Sequence, residues 1–126
     1  MRFPGEVTEP ELLLQHVFDV NVLASREESL PLSLLEAAAC GCPTVCTAVG
    51  GNGEIVVDGE TGLQVPKDDP RALATALLRL AKDRALRERL GHAARARAEK
   101  RFGLDAFVAG VERALIDVLP AARRNG

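Results

Sequence analysis

Between Leu32 and Cys40 every position except Ser33 and Glu36 is apolar, and the run stops at Gly41-Cys42-Pro43 before a new, mostly apolar stretch, Thr44–Ala48. A segment of this kind predicts a helix buried on several sides, ended by the glycine and followed at once by a strand. Upstream, Val20-Asn21-Val22-Leu23-Ala24 predicts a short strand feeding the same unit. Downstream, Asp58-Gly59-Glu60-Thr61-Gly62 predicts a turn before a last strand, Leu63–Val65. Strands that alternate with helices over this length pair in parallel through right-handed crossovers. Residues 1–66 are therefore expected to form an α/β unit, half of a doubly wound, Rossmann-like sheet.

The flanks extend this reading. A short first strand is expected at Arg2-Phe3, closed by Pro4-Gly5, and a helix from Glu9-Pro10, where proline and acidic residues suit the exposed amides of a helix start. Residues 67–119 turn wholly helical. One helix begins at Asp68-Asp69-Pro70 and repeats Leu73, Ala76, Leu77 and Leu80 at threes and fours; a second begins at Asp83 and carries Leu86, Leu90, Ala93 and Ala94. After Phe102-Gly103 a third presents Phe107, Val108, Val111 and Leu115 on one face. All three are expected to cover the sheet, with 120–126 fraying.

Composition narrows the class. A chain of 126 residues, 47% apolar, has room for a single domain with a real core, here expected to be a partial one, 1–126. It has no apolar run of the ~18 residues that a membrane span needs, and its start lacks the apolar centre of a secretory signal, so a cytoplasmic protein is expected. Cys40, Cys42 and Cys46 lack a second pair or a histidine at ligand spacing and read as small buried hydrophobes, so no metal is expected. His16 reads as an ordinary helix residue and His92 as solvated. Residues 1–70 hold three Lys/Arg against twelve Asp/Glu, whereas residues 71–126 hold thirteen against six. The basic half has its charges interspersed with apolar helix positions and no aromatic stacking residues, which argues for solvated helix faces and against nucleic acid; attraction to an anionic membrane surface is the alternative use of these charges.

The chemistry gathers around two carboxylates, Glu28 and Glu36, with seven residues between them. An ionised carboxylate only accepts hydrogen bonds and can take two from adjacent hydroxyls, while amides at a helix start suit phosphates. Glu28 lies just before the predicted helix and Glu36 about one turn inside it, so the two can address opposite ends of one extended ligand. Around them stand Val20–Ser25, Leu34-Leu35-Glu36-Ala37, Gly41-Cys42-Pro43, Gly50-Gly51-Asn52-Gly53-Glu54 and Asp58-Gly59-Glu60-Thr61-Gly62-Leu63.

This train of motifs resembles the donor site of retaining glycosyltransferases of the GT-B fold, in particular the large family 4 group, and the resemblance runs from about Phe3 to Val118. It implies the C-terminal, donor-binding part of an enzyme that transfers a hexose from a UDP- or GDP-linked sugar with retention, with no further cofactor. It implies that Glu28 binds donor-sugar hydroxyls and is the catalytic residue, that Glu36 binds the ribose, and that the amides of Leu32 and Ser33 face the diphosphate or the sugar. Gly50 and Gly51 would bring the loop after a strand close to phosphate, with Glu54 either beside the donor or holding the loop together.

Two departures qualify the resemblance. The family usually has an aromatic residue and then glycine where this chain has Leu30-Pro31, and proline has no N–H to donate. By the resemblance, the arginine and lysine that the family uses to stabilise the leaving diphosphate, and the acceptor-binding domain, would stand upstream of Met1; Arg26 is near enough in sequence to be a substitute, but its position in the motif is variable. The isolated chain is thus expected to be inactive, to need an N-terminal acceptor domain or a partner chain, and to carry an open sheet edge where self-association can occur. A non-catalytic nucleotide-sugar-binding or interaction module is the alternative. An epimerase or phosphorylase of the same fold fits the Gly-Gly-x-x-Glu and Asp-Gly-x-Thr-Gly pair less well.

Overall fold

The computed structural model describes residues 8–118. The strand expected at Arg2-Phe3 and the tail 120–126 lie outside them. The elements follow in the order α1 (Pro10–His16), β1 (Asn21–Leu23), α2 (Leu32–Ala39), β2 (Thr44–Thr47), α3 (Asn52–Ile55), β3 (Gly62–Val65), α4 (Pro70–Lys82), α5 (Arg84–Phe102) and α6 (Leu104–Val118). The three strands pair in parallel in the order β1-β2-β3, with Val22 opposite Val45 and Val45 opposite Leu63. The fold is α/β, as expected.

Strand alternation divides the core between the two faces of β2. All four residues of this central strand are buried. Val45 packs with Leu63 and Val65 against Leu80 of α4 and Leu86 and Leu90 of α5. Cys46, one residue on, packs on the other side with Leu34 of α2 and Ile55 of α3, with Val56 alongside. Successive side chains of a strand point to opposite faces, and a parallel strand covered on both reads as one continuous apolar run.

Local signals set the helix starts. Pro10 and Pro70 both stand in the first turn of their helices. Asp69 accepts from the Ala72 amide and Asp83 from the Leu86 amide, each at 2.9 Å, as N-cap carboxylates do. His16 ends α1, and His92 is exposed on α5.

Three expectations change. The Gly50–Glu54 stretch, read as a loop, continues into the one-turn helix α3. The third amphipathic helix does not cover the sheet: Phe107, Val108, Val111 and Leu115 of α6 are between 41% and 67% exposed. The nineteen-residue α5 extends about 28 Å at the usual helical rise. That length carries the chain past the three short strands before α6 begins. The basic residues of α5, read as a solvated face, partly serve the fold instead. Arg87 donates to the Leu80 and Ala81 carbonyls at the end of α4, Arg89 to Gly59, and Arg97 to Glu54.

Among the described residues β1 has a strand on one side only. No described helix is long and apolar enough to cross a membrane.

Candidate donor site at the strand ends

In a parallel α/β sheet the turns after each strand collect at one edge, where open sheets bind ligands. Here they enclose a cleft of about 960 Å³. Arg26, Glu27 and Glu28 come from the turn after β1, Ala48, Val49 and Gly50 from the turn after β2, and Pro66 and Lys67 from the end of β3, with Asp58 and Gln64 completing the wall.

Glu28 is half-buried in this wall. Its Oε1 accepts a hydrogen bond from Ser25 Oγ at 2.6 Å, and the Ser25 carbonyl in turn accepts from Thr47 Oγ1, also at 2.6 Å. The carboxylate is thus tied through its own turn to the end of the central strand. Gly50 has φ +48°, and a Cβ on it would overlap the carbonyl oxygen of Glu28; a Cβ on Gly51 would overlap that of Ser29. The close approach that these two glycines permit is therefore to the Glu28–Ser29 backbone. Gly50 still lines the cleft, whereas Gly51 is buried behind it.

The amides of Leu32 and Ser33 open α2. Pro31 is its N-cap, extended at φ −75° and ψ 118°, with no side-chain cap and no acidic residue in the first turn. The Leu34 amide makes the first bond, to the Pro31 carbonyl at 3.1 Å. Leu32 and Ser33 consequently offer helix-start amides at the positive end of the dipole. Because Pro31 is the cap, its missing N–H leaves both of these donors in place.

Glu36 is exposed on the same strip of α2 as Leu32 and Ser33, since Leu34, Ala37 and Ala38 face the core. It does not line the cleft that holds Glu28. It borders a second, apolar cleft of about 380 Å³ between α2 and the end of α5, with Leu35, Ala39, Ala98 and Phe102. The two glutamates share one loop-helix unit but not one cavity.

Several contributors escaped the sequence reading. Lys67 enters the cleft because it stands two residues beyond the end of β3, a position whose significance is visible only once that strand is placed. Asn52 is fully buried and donates to the Thr47 carbonyl at 2.9 Å, and Arg97 Nη2 donates to the Glu54 carbonyl at 2.8 Å, so both hold the turn that packs on Glu28. Arg26 Nε bonds Asp68 at 2.8 Å, but both side chains are largely exposed, where such a pair contributes little. Glu54 contributes its carbonyl to the turn, while its side chain is exposed.

Cys42 and Cys46 are inert as thiolates. All three are free, and burial pushes the thiols of Cys42 and Cys46 up to about 11, so that both are protonated near neutrality. Among the described residues no three of His, Cys, Asp and Glu gather as metal ligands.

The family model for glycosyl transferases group 1 matches residues 1–97. A glycogen synthase of Mycobacterium tuberculosis is 41% identical over 102 residues, which cover 80% of this chain and 25% of that protein. The sucrose-phosphate synthase structure from Thermosynechococcus elongatus superposes with a TM-score of 0.81 at 34% identity, covering 94% of this chain and 31% of that one. Anabaena HepE, solved in complex with UDP-glucose, gives 0.78 at 23% identity over 90% of this chain and 31% of its own, a likeness of fold. The chain spans about a quarter to a third of the length of these proteins.

Proposed function

The chain belongs to the glycosyl transferases group 1 family, and on that premise we propose that it is the nucleotide-sugar-binding part of an enzyme that transfers a hexose from a UDP- or GDP-linked donor with retention. The observation that carries this reading is the convergence of three turns, at the carboxyl ends of three parallel strands, on a cleft that contains Glu28, which stands four residues before the uncapped start of α2.

In this reading the donor lies across the first turn of α2. Its diphosphate meets the amides of Leu32 and Ser33. Its sugar enters the cleft, where Gly50 lines the wall and Glu28 accepts sugar hydroxyls as the catalytic residue. Its ribose extends along the exposed strip to Glu36, about one helical turn or 5.4 Å further on. This path explains how both glutamates serve one ligand without sharing a cavity. Retention needs charge stabilisation of the departing diphosphate, and Lys67 is a cleft cation able to supply part of it. The UDP-glucose bound to HepE favours UDP as the nucleotide.

The acceptor-binding domain, in a longer chain or as a partner, completes the site, and the side of β1 that has no strand among the described residues is where further strands would add. Alone, the 126-residue chain binds donor with little turnover. The three free thiols suit a reducing, cytoplasmic setting. A second reading, a non-catalytic binding module, is favoured by Leu30-Pro31 in place of the aromatic-glycine step that the resemblance leads one to expect.

Calorimetric titration of the purified chain with UDP, GDP, UDP-glucose and GDP-mannose tests this function. Saturable binding of one nucleotide and its sugar conjugate supports it. No binding by any of the four rejects the donor site.

A further inference from the structure

We infer that Ser25 is a positioning residue that sets which oxygen of Glu28 meets the donor sugar, and so helps to determine sugar recognition. The inference rests on the donor-site reading above and assigns within that site a residue that stands outside the cleft lining.

The geometry is a three-point anchor. Ser25 Oγ donates to Glu28 Oε1 at 2.6 Å, the short range of a hydroxyl bonded to a carboxylate. Ser25 is itself fixed, because its carbonyl accepts from Thr47 Oγ1 at the end of the central strand. The Glu28 backbone is fixed from the other side by Gly50, which leaves no room for its carbonyl to shift toward the turn after β2. A glutamate side chain has three rotatable bonds and loses much freedom when held in one place. Here backbone and one oxygen are held before any ligand arrives, which leaves Oε2 as the oxygen without a protein donor among the described residues. A carboxylate held in this way presents one open oxygen to the sugar rather than a freely rotating pair. Ser25 acts only through Glu28, since it does not itself line the cleft.

The test measures UDP and UDP-glucose affinity calorimetrically for the full chain and for Ser25→Ala, Ser25→Thr, Glu28→Ala and the Ser25→Ala/Glu28→Ala double variant. UDP lacks the sugar, so its affinity reports on the fold and the nucleotide end of the site. Ser25→Ala is expected to leave UDP affinity unchanged and to weaken UDP-glucose by about tenfold, the scale of one hydrogen bond to a charged group. Ser25→Thr, which keeps the hydroxyl, is expected to restore it, and in the Glu28→Ala background loss of Ser25 is expected to add nothing. If Ser25→Ala binds UDP-glucose like the parent while Glu28→Ala does not, the positioning role is wrong and the donor site stands. Equal weakening of UDP and UDP-glucose by Ser25→Ala also overturns the role, because that pattern is general loosening. Absence of all nucleotide binding by the parent chain overturns the donor site and this role together.

Discussion

The Cα of Gly50 lies against the carbonyl oxygen of Glu28, so close that a side chain on Gly50 would occupy the space of that oxygen. Two turns that follow neighbouring strands are thereby locked backbone to backbone, and the carboxylate at the cleft sits on one of them.

This contact predicts the effect of Gly50→Ala. Its φ of +48° costs an L-residue about 1 to 2 kcal/mol, and the overlap with Glu28 adds displacement of the turn. A total of about 3 kcal/mol or more is expected from urea unfolding. Gly59→Ala serves as control: Gly59 has φ +72° but nothing within 4 Å of a built Cβ, so only the backbone cost of about 1 to 2 kcal/mol is expected. Equal losses in the two variants would show that the packing against Glu28 carries no energy.

Glu36→Ala removes an exposed carboxylate that contributes nothing to the core. Thermal stability is expected to stay within about 0.5 kcal/mol of the parent. Affinity for UDP and for UDP-glucose is expected to fall together, by roughly tenfold, because ribose is common to both. A fall for UDP-glucose alone would move Glu36 to the sugar end of the site.

Leu90→Ala is expected to be among the most damaging single changes. Leu90 is fully buried between α5 and the sheet with Val45, Leu63 and Leu80. Truncation there costs about 2 to 5 kcal/mol through lost burial and a residual cavity. A chemical-denaturation midpoint close to that of the parent would mean that α5 is not docked on the sheet as described.

The buried thiols predict a dependence on alkali. Burial raises Cys42 and Cys46 from 9.0 to about 11 in the fold, so between these values the unfolded chain binds fewer protons than the native one. Stability is therefore full below pH 9 and declines as pH rises from 9 through about 11, by at most about 3 kcal/mol per thiol. Urea midpoints at pH 8, 9, 10 and 11 for the parent and for Cys42→Ala/Cys46→Ala measure it. An identical decline in both proteins would assign the effect to other groups. In native protein at pH 8 the half-buried Cys40 should alkylate before the other two.

Much of this molecule was written in local pattern. The apolar run from Leu32, the Gly41-Cys42-Pro43 stop and the Asp-capped starts of α4 and α5 are decided by backbone sterics, hydrogen-bond capping and periodicity, which act over a few residues. The spacing of Glu28 and Glu36 around a helix start likewise placed both on one loop-helix unit, a local matter of where α2 begins. Other features depended on partners far away in the chain. The glycines at 50 and 51 announced a close approach, but that the approaching group is the Glu28–Ser29 backbone follows from the parallel pairing of β1 with β2. Lys67 enters the cleft because β3 ends there, and Phe107, Val108, Val111 and Leu115 stay exposed on a helix that begins only after the nineteen residues of α5. Periodicity states that a face is apolar, whereas the element that meets it is chosen by chain length and strand order, quantities that exist only when the whole fold is assembled.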